Sequence, residues 1–171
     1  KLQGTCNHQD HAGVGIAVTD AVQEYRIRQL KTFGCNAYRC AHNPPAPEVL
    51  DVCDRMGILV MDEIFDEWLL PKTGMKFGYT RFFDEWSEKD VVAMVRRDRN
   101  HPSVILWSIG NEIKEQRAPQ AGVMAKRLAD FCRREDPSRK VSSGCNFVGA
   151  AIQNGLVDAL DVLGLNYFVE N

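Results

Sequence analysis

The sequence predicts an α/β fold, a parallel sheet of about six strands and five helical connections that forms part of a (β/α)8 TIM barrel. Three observations predict it. Short apolar runs alternate with segments of helical spacing along the chain, and successive parallel strands need crossover connections, usually helices. The run at 58–61 is apolar without alternation, as in strands buried on both faces. Polar residues close successive strands: Arg39 and His42, Asp62 and Glu63, Asn111 and Glu112, Asn166 and Tyr167. Helix patterning alone fits a doubly wound sheet equally well. An open sheet, however, gathers ligands at one switch point, whereas a barrel collects functional groups from many strand ends.

Each element has a local reason. The first strand is expected over 2–7, followed by a loop carrying His8, Asp10, His11 and two glycines. A helix over 20–33 starts at Asp20 as N-cap, spaces Val22, Tyr25, Leu30 and Phe33 approximately helically, and ends at Gly34. The second strand is 36–40. Pro47, suited to a first helical turn, opens a helix that carries Val49, Leu50, Val52, Cys53 and Met56 and stops at Gly57. The third strand, 58–61, runs into Asp62 and Glu63 and an aromatic-rich loop. A helix over 82–99, a fourth strand over 104–109, a helix over 119–134, a fifth strand from 140 to 143, a short helix or turn near 150–155 and a sixth strand over 161–167 complete the order.

Composition narrows the function classes. With 171 residues the chain is about one domain in length. Its 21 basic and 23 acidic residues nearly cancel, so no nucleic-acid or anionic-membrane partner is indicated. No uncharged apolar run reaches the ~20 residues that span a bilayer. The start at Lys1 shows neither an initiator Met nor a signal-peptide apolar region, so the chain is expected to be a processed or excised piece, of cytoplasmic or periplasmic origin. The six cysteines lack C-x-x-C spacing, which argues against zinc. They read as free thiols packed as small hydrophobes.

Glu112 is the sharpest chemical candidate. At the end of an apolar strand, partial burial is expected to raise its pKa and let it act as an acid; capping or ion pairing is the bland alternative. Asn111 beside it can bond a substrate hydroxyl. Asp62 and Glu63 are neighbours on a strand and must point oppositely, so one is expected to pair with a basic group such as Arg39, a side chain suited to bidentate carboxylate contacts. His8, Asp10, His11 and His42 have three readings: metal ligands, sugar-hydroxyl partners or structural polar groups. Trp68 and Trp86 could stack on sugar rings, while Trp107, mid-strand, reads as core.

Three stretches carry a resemblance: 36–45 with Arg39, His42, Pro44 and Pro45; 60–63, ending in Asp62 and Glu63; and 97–112, from Arg97 and Asp98 through His101 and Pro102 to Asn111 and Glu112. They resemble the catalytic domain of glycoside hydrolase family 2, the β-galactosidase and β-glucuronidase group, from the first strand to the sixth. The resemblance implies a β-galactosidase-like retaining β-glycosidase of carbohydrate metabolism. It makes Glu112 the general acid/base and Asn111 the partner of the sugar 2-hydroxyl. Arg39 would support the nucleophile, His8 and His42 would lie near the sugar subsite, and Asp62 would be an acidic residue of the same pocket. Tyr167 would sit near the nucleophile.

Two departures and one gap modify that picture. Some β-galactosidases hold magnesium with a Glu and a His after the third strand. Glu67 matches the Glu, but Leu69 replaces the His, so no metal or other cofactor is assigned. Gln9 stands where those galactosidases have a Glu, which loosens the inference to galactose. The family's nucleophilic Glu closes a seventh strand, and Glu170 does not match it. The 171 residues are therefore expected to be the N-terminal two-thirds of a catalytic barrel, which typically needs roughly 250 residues. The piece is expected to be inactive alone and to self-associate or need the missing strands, since an incomplete barrel has free edges. Rival readings are a non-catalytic carbohydrate-binding module and a metal-dependent (β/α) hydrolase or isomerase built on His8, Asp10, His11 and His42.

Overall fold

The computed structural model describes residues 1–167. Six strands, β1 (Gly4–Asn7), β2 (Ala37–Cys40), β3 (Leu59–Glu63), β4 (Val104–Asn111), β5 (Lys140–Cys145) and β6 (Val162–Leu165), form one sheet in sequence order. Every pairing is parallel. The connections hold α1 (Asp20–Thr32), α2 (Pro47–Met56), α3 (Phe83–Asp98), α4 (Ala121–Glu135) and the short α5 (Val148–Gln153). This is the partial (β/α)8 barrel that the alternation predicts. No described helix is long and apolar enough to cross a membrane.

Boundaries differ from the sequence reading by one or two residues at most ends, where capping decides them. Thr19, in extended conformation, is the N-cap of α1, and Asp20 is its first helical residue. Gly34 (φ 80°) and Gly57 (φ 68°) turn the chain out of α1 and α2 in the left-handed region, where a Cβ is unfavourable. β4 runs two residues beyond the apolar segment, through Gly110 to Asn111.

The core lies between the sheet and its helices. Val60, Trp107 and Val141 of the sheet share one buried cluster with Leu50, Val95 and Leu128 of α2, α3 and α4. On the other face Ala37, Leu59, Met61 and Leu106 line a shallow hollow and are only half-buried. Four cysteines, Cys40, Cys53, Cys132 and Cys145, are buried free thiols; Cys6 is exposed and Cys35 half-exposed.

One irregularity positions the site. Ser108 pairs with Ser142, and Asn111 with Gly144, so β4 advances three residues while β5 advances two. This bulge shifts the alternation of β4, and Ser108 and Asn111 both reach the network around Arg39 despite their odd spacing.

Candidate active site

A cavity of about 630 Å³ opens at the C-terminal ends of the strands. Arg39 enters from β2, His42 from the loop after it, Asn111 and Glu112 from β4 and just beyond, and Asn166 and Tyr167 from the end of β6; His8, after β1, completes the wall. Of the seven predicted site residues, six line this cavity.

Asp62 is the exception. It is fully buried and absent from the cavity wall. Burial, then contact with the Asp98 carboxyl, pushes its pKa well above the usual carboxylate range. Asp98 is gripped by Arg97, with Nε–Oδ1 and Nη2–Oδ2 distances of 2.6 and 2.7 Å. Neither Asp62 oxygen has a hydrogen-bond partner among the described residues, so nothing offsets the burial of a charge there. Strand alternation assigns the pocket side to Glu63 and the helix side to Asp62.

Glu63 is the centre of the polar network. Its carboxylate has no solvent exposure. Oε2 accepts from Arg39 Nη2 at 2.7 Å, Arg39 Nε at 3.1 Å and Ser108 Oγ at 2.6 Å. Oε1 accepts from His42 Nδ1 at 2.6 Å. Burial works against the Arg39 charge, but Glu63 outweighs it and raises the guanidinium pKa. Arg39 Nη2 continues to Asn111 Oδ1 at 2.8 Å, and Asn166 Nδ2 donates to the same oxygen at 2.9 Å. Asn111 Nδ2 lies 3.3 Å from His42 Nε2. The His42 tautomer with its proton on Nδ1 satisfies both contacts. One Asn111 N–H stays free for a ligand.

Glu112 sits at φ 47°, a left-handed conformation that costs a non-glycine residue roughly 1–2 kcal/mol. The turn breaks strand alternation, so consecutive Asn111 and Glu112 both face the cavity. Such backbone strain persists where surrounding structure over-determines it. Here the Glu112 N–H donates to the Gly144 carbonyl at 2.8 Å. Its half-buried carboxylate accepts from Asn166 Nδ2 at 2.7 Å on Oε1 and from Asn146 Nδ2 at 3.2 Å on Oε2. Asn146 is itself oriented by buried Gln116, whose Nε2 donates to Asn146 Oδ1 at 3.0 Å and whose Oε1 accepts the Asn146 N–H at 3.0 Å. The exposed Tyr167 hydroxyl has its pKa raised by the Glu112 carboxylate beside it.

Gly144 makes room for this network. A Cβ there would stand 2.9 Å from Arg39 Nη2, 3.0 Å from Asn111 Oδ1 and 3.2 Å from Asn166 Oδ1. The opposite wall carries Asp66 and Lys72, paired at 2.5 Å (Oδ1–Nζ). The loop that holds them is anchored by buried acids: Glu67 Oε1 accepts the Lys72 N–H and Glu115 Oε1 the Leu70 N–H, each at 2.6 Å.

Sequence reasoning did not single out the roles of Asn166, Asn146, Gln116, Asp66 or Lys72. Apart from Asn166 at a strand end, they lie on loops and turns where no periodicity marks a direction. The proposed metal quartet is not assembled. His8 and His42 meet edge-to-face at 5.3 Å between ring centroids, but Asp10 and His11 do not line the cavity. Among the described residues, the one three-ligand grouping is Asp51, Asp54 and His101; there His101 Nδ1 and the Ser103 N–H already bond Asp54. Leu69 brings no ligand atom beside Glu67. None of the tryptophans lines the cavity: Trp68 and Trp107 are core, and half-exposed Trp86 carries Lys89 over its ring.

Comparison with known proteins adds a second line. The family described as "Glycosyl hydrolases family 2, TIM barrel domain" matches residues 1–169. A β-galactosidase of Bacteroides ovatus is 39% identical across 98% of the chain, which spans 23% of that protein. A putative β-glucuronidase of Formosa agariphila is 38% identical across the whole chain, here 15% of its partner. A crystal structure of a glycosyl hydrolase family 2 member from Bacteroides cellulosilyticus superposes with a TM-score of 0.91 and 41% identity over 98% of the chain, which covers 21% of that structure. The chain therefore spans about a quarter or less of these relatives.

Proposed function

Because the chain belongs to glycosyl hydrolase family 2, we propose that the whole protein carrying it is a retaining β-glycosidase and that Glu112 is its general acid/base. The observation that carries this reading is Glu112 itself, turned into the cavity by a left-handed backbone and held by two asparagine amides. Protonated, it donates to the glycosidic oxygen as the aglycone leaves. Ionised, it takes a proton from the water that releases the sugar. The free Asn111 N–H meets the 2-hydroxyl, a contact that strengthens as positive charge develops on the ring. Glu63 fixes Arg39 and His42 so that the wall is formed before substrate arrives, which lowers the reorganisation that reaction would otherwise need. His8 and Tyr167 bound the sugar on either side.

Double displacement requires a second carboxylate about 5–5.5 Å from the first. Among the described residues of the cavity, the other carboxylate is Asp66, which is tied to Lys72. The expected nucleophile belongs to a seventh strand, and Glu170 lies outside the described residues. The 171-residue chain by itself is therefore inferred to be inactive.

The test uses the full-length protein and β-galactosides or β-glucuronides with methyl, 4-nitrophenyl and 2,4-dinitrophenyl aglycones. Glu112→Gln should lower kcat/KM, which reports the step in which the aglycone leaves, about 10²–10⁴-fold on the methyl glycoside and far less on the dinitrophenyl one, which leaves without protonation. Equal losses on all three would overturn the acid role.

A further inference from the structure

The loop after β3 passes the cavity between Asp66 and Lys72. Three buried side chains tie it down. The Trp68 indole N–H donates to the Ile109 carbonyl at 2.9 Å. Glu67 and Glu115 accept the Lys72 and Leu70 N–H groups. This anchoring costs stability. Glu67 Oε2 and Glu115 Oε2 are buried without a partner among the described residues, and burial raises the pKa of Glu115. An unpaired buried acceptor is destabilising, and such groups persist where a fixed geometry serves function.

The anchored loop presents two polar side chains to the cavity, Asp66 and Lys72, while Leu69 and Leu70 between them do not line it. Asp66 Oδ1 accepts from Lys72 Nζ at 2.5 Å. Asp66 Oδ2 accepts no hydrogen bond among the described residues and is not buried. The ammonium has three N–H groups, and Asp66 takes one of them. The pair is not needed as a fastening, since the loop is held through its backbone and a partly exposed ion pair adds little. The two side chains keep 24% and 25% of their exposure, so a ligand that covers them meets groups already largely stripped of water. Arg39, by contrast, is committed to Glu63 and Asn111.

We propose that Asp66 and Lys72 determine specificity as a clamp that reads two adjacent ring hydroxyls of the sugar in this cavity: one donates to Asp66 Oδ2, and its neighbour accepts from Lys72 Nζ. The inference rests on the glycosidase reading, in which the cavity holds the sugar and Asn111 takes its 2-hydroxyl. The adjacent pair left for the opposite wall is then the 3- and 4-hydroxyls. A hydroxyl both donates and accepts, so two neighbouring ones match an acceptor and a donor one hydrogen bond apart. Hydrogen bonds to charged groups are stronger than neutral ones. A site built to bond a hydroxyl rejects the analogue that lacks it, because its own polar groups are then left unpaired. Neither hydroxyl belongs to the bond that breaks, so both keep their hydrogens.

Calorimetric titration of the full-length protein with methyl β-galactoside, methyl β-glucuronide and the 2-, 3- and 4-deoxy derivatives of each tests this through binding. For the glycoside that binds, removal of the 3- or the 4-hydroxyl should each weaken binding about 10–100-fold. Lys72→Met should weaken the parent sugar about tenfold, yet cost less than about twofold more on the derivative that lacks its hydroxyl. Asp66→Ala should behave in the same way on the other of the two derivatives. Both variants should keep their full effect on the 2-deoxy sugar, and Lys72→Arg, which retains the donors, should recover most of the lost affinity. A loop that had merely lost its shape would weaken every sugar equally. That result, no effect of either substitution, or no binding of either glycoside would overturn the proposal. The hydrolase reading is judged separately, by the Glu112→Gln leaving-group series.

Discussion

Replacing Glu63 by Gln should unravel the network that shapes the cavity. The glutamine is isosteric but neutral, and its amide nitrogen cannot accept a hydrogen bond. Glu63 receives four donor contacts on a carboxylate with no exposure, while the Arg39 side chain is 17% exposed. Solvent screening is therefore slight at this pair. Removing one member of a buried ion pair costs about 3–5 kcal/mol, because the other charge is left without compensation. For a protein of this size each kcal/mol moves Tm by about 2–4 °C, so the variant should melt roughly 6–20 °C lower. The assay is thermal denaturation by circular dichroism for four proteins: the parent, Glu63→Gln, Arg39→Met and the double variant. Replacing both charges together removes the uncompensated one, so the double variant should lose less than the two single losses added. If Glu63→Gln melts within 2 °C of the parent, or if the losses simply add, the idea that Glu63 holds Arg39 is wrong.

Other outcomes follow from the same geometry. Gly144→Ala should push Arg39 and Asn111 apart, costing about 1–3 kcal/mol by overpacking and lowering kcat/KM of the full-length protein at least tenfold; urea unfolding and steady-state kinetics check both. Burial, then the Asp98 carboxyl beside it, raises the Asp62 pKa well above 3.8 in the fold. Between that value and its raised one the folded state holds more protons than the unfolded state, so its contribution to stability falls as pH rises and is fully present only below about 4. Asp62→Asn, neutral at every pH, should therefore flatten the decline of stability between pH 4 and 7; an unchanged slope in urea melts would count against a proton on Asp62. The 171-residue chain, with Leu59, Met61 and Leu106 half-exposed on one sheet face, should associate above micromolar concentrations and turn over no glycoside. A monomer by light scattering, or turnover lost on Glu112→Gln, would refute these two expectations.

The order of strands and helices is legible in the sequence because it depends on local signals. Apolar runs, Gly34 and Gly57 as helix stops, and Pro47 as a helix start are each decided within a few residues. The chemistry at strand ends is legible for the same reason: parallel strands deliver their C-terminal residues to one end of the barrel. Arg39, Asn111 and Glu112 are brought to one end of the sheet for that reason, and the long 97–112 stretch resembles its family strongly enough to name it.

Direction was not legible where both faces of a strand are apolar. In β3 nothing in Leu59 to Met61 says which face meets the helices, so the sequence could offer Asp62 and Glu63 only as alternatives. A shift of one residue exchanges the faces, and only packing against α2 and α3 put Asp62 beside Asp98 and Glu63 beneath Arg39. The bulge in β4 and the left-handed turn at Glu112 are likewise set by pairing with β5. Asn146, Gln116, Asp66 and Lys72 come from loops far apart in sequence, with no period to reveal where they point. Local propensity and spacing thus determined the elements and their order, while the proposed acid, Glu112, rests on the resemblance of the 97–112 stretch. The tertiary structure decided which neighbour of each polar pair enters the cavity and which buried acceptors are left open, because those outcomes depend on contacts between residues distant along the chain.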